Sequence, residues 1–501
     1  MAALALAVPP TLRDQVDRHR AKAAPAILRE LAELVAIPNV AADLPNIRRN
    51  ADRLLEMLRA RGASARLLEN PGAPPAVYGE LSSPGARRTI VFYAHYDGQP
   101  VDPAQWKTPP WTPVLRDGPL DQGGREIPPP GAGQQVSDEA RLYGRSASDD
   151  KAPIVAMLAA LDALKAARLA PSVKLKFYFE GEEEAESTHL RASLERNREL
   201  LAADAWIFCD GPVHQSRRME VVYGARGILP FELTVYGPTR ALHDGHYGNW
   251  APNPASLLAS LLAGMRDPDG RVAIEGFYQG VRPISDLDRR AIAEIPKIDA
   301  ELRKSLGLAR TEADDAPLAE RTLLPALNVR GLLAGRVGAQ ATNAIPTEAR
   351  ASIDLRLVPD QKPDAIRAAV ERHLAAQGYF LVRDEPDMPA RLAHPRIVRV
   401  EWKGGYPGVR TAMDEPFARA VGQVVAEALR GAPIVHLPIL GGSVPLATLQ
   451  ETLGTPVVIV PIVNHDNNQH AANENLRLRN LWDGIDIFAA LFAGLGPAWP
   501  K

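Results

Sequence analysis

Apolar residues recur along the first half of the chain in two alternating textures. Residues 27–37 and 46–61 carry them at helical spacing, and Ile154, Met157, Leu158, Leu161 and Leu164 mark one face of a third helix. Pro153 stands at the start of that helix, where its missing N–H costs little. Between these segments lie short runs of β-formers. Thr89-Ile-Val-Phe-Tyr-Ala94 is continuously apolar, as in a buried strand. Val173-Lys-Leu-Lys-Phe-Tyr-Phe179 alternates like a half-buried strand, and Ala205-Trp-Ile-Phe208 is a shorter strand. Strands alternating with helices predict an α/β fold with a largely parallel sheet.

The texture changes near residue 224. Residues 229–236, 349–357 and 397–402 read as strands, 254–265 and 364–377 as helices, and together they read as a βαβ-like block. After residue 414 come a helix, a strand at 455–461 and a closing helix near 481–493, which complete the first domain. The predicted organisation is a catalytic domain made of residues 1–223 and 405–501, mostly parallel in its sheet, with an inserted α+β lid or dimerisation domain at 224–404. A chain of 501 residues is long enough for two such cores. Residues 117–139, rich in Gly, Pro and Asp, read as a long surface loop.

Composition narrows the function classes. The chain is 46% hydrophobic and 24% charged, as a soluble globular protein is, and its formal net charge is −2. Lys and Arg are scattered, so neither a nucleic-acid nor a membrane-surface partner is expected, since both usually need a basic patch. A single cysteine, Cys209, allows no intrachain disulfide and fits a reducing compartment, which makes the cytoplasm the expected location. The alternative is export, if the apolar, Ala-rich residues 1–10 are the tail of a secretion signal; they lack a basic n-region. No other stretch is expected to reach transmembrane length.

The chemistry gathers at strand ends. The strand at 89–94 ends in His95-Tyr-Asp97, that at 173–179 in Glu180-Gly-Glu-Glu-Glu184, that at 205–208 in Cys209-Asp210, and that at 455–461 leads to Asn464-His-Asp-Asn-Asn-Gln-His470. Ligand sites of parallel α/β sheets lie at the carboxyl ends of strands, so these segments should converge on one rim. A fifth segment, Gly144-Arg-Ser-Ala-Ser-Asp-Asp-Lys151, leads into a helix. Singly, each piece has a bland explanation. His-x-Asp is usually a surface pair, three consecutive glutamates are usually a solvated patch, and Asp149 or Asp150 could cap the helix that follows. A bound dication would relieve the repulsion of carboxylates placed this close.

Taken in order, these segments resemble the M20 metallopeptidases, and within them the carnosinase-like, cytosolic non-specific dipeptidase branch. The resemblance rests on His95-Tyr-Asp-Gly-Gln-Pro100, Leu142-Tyr-Gly-Arg-Ser-Ala-Ser-Asp-Asp-Lys-Ala152 and Glu180-Gly-Glu-Glu-Glu-Ala-Glu-Ser187. It continues through Leu242-His-Asp-Gly245, Asn343-Ala-Ile-Pro346, Arg356-Leu-Val-Pro359 and Gly441-Gly-Ser-Val-Pro445. It implies two divalent metal ions per subunit, zinc with manganese as the alternative, a donor set that suits either. His95, Asp149 and Asp210 would hold one; Asp149, Glu184 and His470 the other, with Asp149 bridging. Asp97 would orient the His95 ring. Glu183 would be the general base and then the acid, acting on a metal-held water. Two cations about 3.5–4 Å apart can polarise a scissile carbonyl together. His243 would stabilise the oxyanion, often from the partner subunit of a homodimer built through the inserted domain. Arg356 would clamp a substrate carboxylate, and Asn343, Gly441, Gly442 and Ser443 would line the pocket.

The implied reaction is hydrolysis of the amide bond of a dipeptide or short peptide next to a free carboxylate. An N-acyl or N-carbamoyl amino acid amidohydrolase would use the same metal residues. An inactive dimeric binding protein of the same fold is the third reading. It draws on departures from the family pattern, where Ser146, Ala152 and Glu186 replace glycines. A non-glycine residue at φ > 0 would be strained at such a position.

Overall fold

In a computed structural model that describes residues 10–312 and 316–500, the strand predicted at 89–94 runs Thr89–His95 near the middle of an eight-stranded sheet. The order across the sheet is Ser64–Asn70, Ala73–Leu81, Lys174–Glu180, Thr89–His95, Ala205–Phe208, Val457–Ile459, Glu220–Val222 and Val435–Leu437. The central strands Lys174–Glu180, Thr89–His95, Ala205–Phe208 and Val457–Ile459 are parallel neighbours. Antiparallel pairing enters at one edge and where Val457–Ile459 meets Glu220–Val222.

Continuous apolarity in these strands follows from burial on both faces. Ile90, Phe92 and Ala94 join a core with the helices Pro10–Val35, Lys151–Ala166 and Leu478–Ala498, while Val91 and Tyr93 join a second core with Leu190–Arg196 and Leu446–Leu453. The helix expected at 27–37 is the end of a longer one, Pro10–Val35, which carries Pro25 in its interior. The apolar residues 1–9 lie outside the described residues. One helix, Leu478–Ala498, does have the length and hydropathy to cross a membrane, contrary to expectation. Its apolar window is 67% buried inside the fold, which makes it a core helix.

Residues 227–402 build a separate five-stranded sheet, ordered Ala326–Leu333, Glu348–Leu357, Gly227–Tyr236, Ile397–Trp402, Phe380–Val382. The block read as βαβ-like is in fact antiparallel at each pairing but the last. Periodicity reveals which face of a strand is buried, not which way its neighbour runs. Leu229, Phe231, Leu233 and Val235 pack against the helices Pro254–Ala263 and Pro363–Ala376. Their alternates leave a polar face that carries Glu232, Ser352, Asp354 and Arg356, as expected for a sheet covered on one side.

Candidate metal centre

The parallel register sets the rim. His95 pairs with Glu180, and Tyr93 with Phe208, so the residues that follow these strands emerge at one edge. His95 is fully buried. Its Nε2 lies 2.9 Å from Asp149 Oδ1 and 4.0 Å from Asp210 Oδ2. The other oxygen of Asp149 lies 3.2 Å from His470 Nε2, which is also 3.2 Å from Glu184 Oε2. Asp149 therefore offers one oxygen to each imidazole, which is the arrangement of a bridging carboxylate. Among the described residues, ligand atoms of His95, Asp149 and Glu184 lie within 4.8 Å of one another, as do those of His95, Asp150 and Asp210.

Asp150 was not among the expected ligands. Its Oδ2 accepts the His95 backbone N–H at 3.2 Å, and its buried Oδ1 has no partner among the described residues. The helix-capping explanation of this pair fails, because Asp150 occupies the N-cap position of Lys151–Ala166 with no side-chain cap bond. Lys151 is buried and donates to the carbonyls of Leu34 and Ile37, tying down the end of the N-terminal helix. Burial pushes its pKa well below the usual lysine range.

The run of three glutamates is sorted by different surroundings. Glu182 accepts from the backbone and ring of His189. Glu184 accepts from Gln99 Nε2 at 2.8 Å and faces His470. The Glu183 carboxylate has no hydrogen-bond partner among the described residues. Burial, with Asp210, Glu184 and Asp149 nearby, pushes it well above the usual carboxylate range, although His95 opposes the shift. Asp97 lies 3.3 Å from His95 Nδ1, and its two oxygens accept the backbone N–H groups of Glu183 and Glu184. It thus fixes the imidazole and the glutamate turn at once.

Electrostatics favour a cation here. Burial alone would lower the His95 pKa, but Asp149 and Asp97 outweigh it and raise it well above the usual range. Asp149 and Glu184 hold His470 up at about 10. Burial and Asp149 raise Asp210. Imidazoles and carboxylates without a thiolate, close-packed and with one orphaned oxygen, fit divalent cations. Burial raises the Cys209 thiol well above its usual value, which leaves it a packing residue.

Glu474 carried no signal in the sequence, yet it organises the site. It is fully buried and accepts from the backbone N–H groups of Ser146, Ser148 and Asp149, from the Ser148 hydroxyl and from Arg145. The loop that presents Asp149 is therefore strung on one carboxylate. Ser146, at a position where the family has glycine, takes φ 62°, and Glu186 takes φ 69°, so both do adopt the left-handed conformation. The Ser146 hydroxyl accepts from Asn39 Nδ2 at 2.9 Å and fills space beside Gly98, where a Cβ would lie 2.2 Å from it.

Other expected residues make no hydrogen bond or ion pair with this cluster among the described residues. Arg356 donates from Nε to Asp354 at 2.7 Å and from Nη1 to Ser443 Oγ at 2.8 Å. The Gly441 carbonyl accepts from Arg226 Nε at 3.0 Å, and Gly442 is exposed next to it. His243 and Asn343 sit on the short paired strands Leu242–His243 and Ala344–Ile345 or directly beside them, and both are exposed. Among the described residues His243 meets Asp244, Gly245 and the His246 ring, not the metal-ligand cluster.

The paired imidazoles, shared carboxylate and unengaged Glu183 define the class: a metal-dependent hydrolase centre at the rim of an α/β sheet. The profile of Peptidase family M20/M25/M40 matches residues 91–493, and the chain belongs to that family. A Cys-Gly metallodipeptidase of Schizosaccharomyces pombe is 24% identical over 94% of this chain and 95% of its own. A Beta-Ala-His dipeptidase of Homo sapiens is 25% identical over 97% of this chain and 93% of its own. An M20 family metallo-carboxypeptidase from Sulfolobus solfataricus superposes with a TM-score of 0.76 at 27% identity, covering 94% of this chain and 99% of its own.

Proposed function

We propose that the chain is a dinuclear metallodipeptidase that cleaves the amide bond of a dipeptide or short peptide next to a free carboxylate. The observation that carries this reading is Glu183, a carboxylate held against the metal-ligand cluster with no hydrogen-bond partner among the described residues and an affinity for protons raised by burial. His95, Asp149 and Asp210 hold one cation, and Asp149, Glu184 and His470 the other. Zinc is the preferred metal and manganese the alternative, given nitrogen and oxygen donors. The cations supply positive charge that polarises the scissile carbonyl and acidifies water. Glu183 takes the proton of the attacking water and returns it to the leaving amine. Asp97 keeps the His95 ring and the Glu183 backbone in place. Arg356 binds the substrate carboxylate, with Ser443, Gly441, Gly442 and Asn343 around it.

His243 reaches the oxyanion from a second subunit, so the working form is a homodimer. Its exposure, that of Asn343, and the exposed Val329, Leu332 and Leu333 on the edge strand Ala326–Leu333 support this reading. Residues 1–223 and 405–501 form the catalytic domain and 224–404 the inserted lid or dimerisation domain; strands of the five-stranded sheet come only from 227–402. The buried lone thiol suits the cytoplasm.

The test is elemental analysis of the purified protein followed by a panel of dipeptides. About two equivalents of zinc or manganese per chain, lost in His95→Ala/His470→Ala, with turnover of dipeptides, is the expected result. Faster turnover of N-acyl or N-carbamoyl amino acids would move the substrate class. No turnover of either by metal-replete protein would sink the proposal.

A further inference from the structure

The polar face of the five-stranded sheet carries an aromatic residue with no part in the reading above. Tyr406 follows the strand Ile397–Trp402, and its backbone pairs with Ile228 in both directions. Ile228 N–H donates to the Tyr406 carbonyl at 3.1 Å, and Tyr406 N–H donates back at 3.0 Å. Ile228 stands directly opposite Arg356 on the other side. Residues opposite one another in antiparallel strands project to the same face, so Tyr406, Ile228 and Arg356 form one row. From that row Arg356 reaches Ser443. The loop is pressed tightly on the strand, since a Cβ on Gly227 would lie 2.3 Å from the Tyr406 carbonyl.

The Tyr406 side chain is half-buried, and its hydroxyl has no hydrogen-bond partner among the described residues. Burial and the nearby Glu183 carboxylate raise its pKa, while Arg356 opposes the shift. The phenol is therefore a protonated donor within electrostatic reach of both the base and the carboxylate clamp. Arg356, for its part, is partly committed. Its Nε is bonded to Asp354 and its Nη1 to Ser443. Two of its five N–H groups are thereby taken, and a carboxylate has about four acceptor sites, so a substrate carboxylate bound to what remains of the fork still has room for a second donor.

We propose that Tyr406 is that second donor, its hydroxyl hydrogen-bonding the terminal carboxylate of the substrate beside Arg356. The inference rests on the dipeptidase reading and on the role given there to Arg356. Tyr406→Phe, which keeps the ring and removes only the donor, should raise KM for a free-acid dipeptide about tenfold and leave kcat unchanged. As competitors, the free C-terminal amino acid should lose affinity by the same factor, while a C-terminally amidated dipeptide should inhibit wild type and variant equally. Unchanged KM and unchanged competition in Tyr406→Phe, in a wild type that cuts dipeptides, would overturn this inference alone. A fall in kcat at constant KM would also overturn it, and would place the phenol on the reacting centre instead. A metal-replete wild type inert to dipeptides would overturn the inference together with the reading beneath it.

Discussion

The rim of the eight-stranded sheet and the polar face of the five-stranded sheet both gather charged residues, but they hold them in opposite ways. On the rim, His95, Asp97, Asp149 and Asp210 are buried, and Asp97 and Glu474 fasten the chain on which the ligands sit. On the polar face, Arg356 keeps part of its fork open, the Tyr406 hydroxyl has no hydrogen-bond partner among the described residues, and His243 and Asn343, on or beside the neighbouring paired strands, face solvent. The difference is one of preorganisation. Repelling carboxylates must be positioned in advance, because an unsupported buried charge is costly. Groups that greet a substrate or a second subunit can stay partly unsatisfied until it arrives.

The strongest challenge to that contrast is Glu183→Gln. It should lower kcat by about 10²–10⁴-fold while metal content by elemental analysis stays at the wild-type level; retained activity would mean the rim's base lies elsewhere. Next is Glu474→Ala. It strips the acceptor from the Ser146, Ser148 and Asp149 backbone and strands Arg145, so urea unfolding should show a loss of about 3–5 kcal/mol. A loss below about 1 kcal/mol would show that the Asp149 loop needs no such anchor.

Glu220 sharpens the comparison from within the same sheet. It is buried, its Oε2 has no hydrogen-bond partner among the described residues, and burial raises its pKa to about 8 from 4.5. An acid raised in the folded state keeps its proton while the unfolded chain loses it. It therefore costs nothing below pH 4.5 and progressively more as pH rises towards 8. Glu220→Gln should accordingly gain stability over wild type with rising pH, by roughly 2–4 kcal/mol at pH 8, read from melting curves at pH 5 and pH 8. An equal gain at both pH values would refute the assignment. The smallest effect belongs to Ser146→Gly. Relief of the left-handed strain and loss of the hydroxyl's bond to Asn39 each amount to about 1 kcal/mol with opposite signs. The net change in stability should stay within about 1 kcal/mol, and a larger shift would show that one of the two dominates.

Much of the rim was legible because strand periodicity and metal-binding residue types coincide at strand ends, as at His95 and Asp210. Glu474 was not, since its partners are the backbone N–H groups and guanidinium of residues 325 to 329 positions earlier, which leave no spacing to read. The antiparallel character of the five-stranded sheet was hidden for a related reason. Gly227–Tyr236 shows the same alternation whichever way its neighbours run.

The sequence by itself determined which chemistry is present and at which strand ends it emerges, because alternation and local turns are written in neighbouring residues. Only the tertiary structure decided how identical groups divide their work. Glu182, Glu183 and Glu184 are chemically the same and adjacent. They become a partner of His189, an unengaged carboxylate and a neighbour of His470 because the fold sets each against different surroundings, from seven residues away for Glu182 to the far end of the chain for Glu184. An isolated carboxylate has no preference among these roles, and burial against particular neighbours is what creates one.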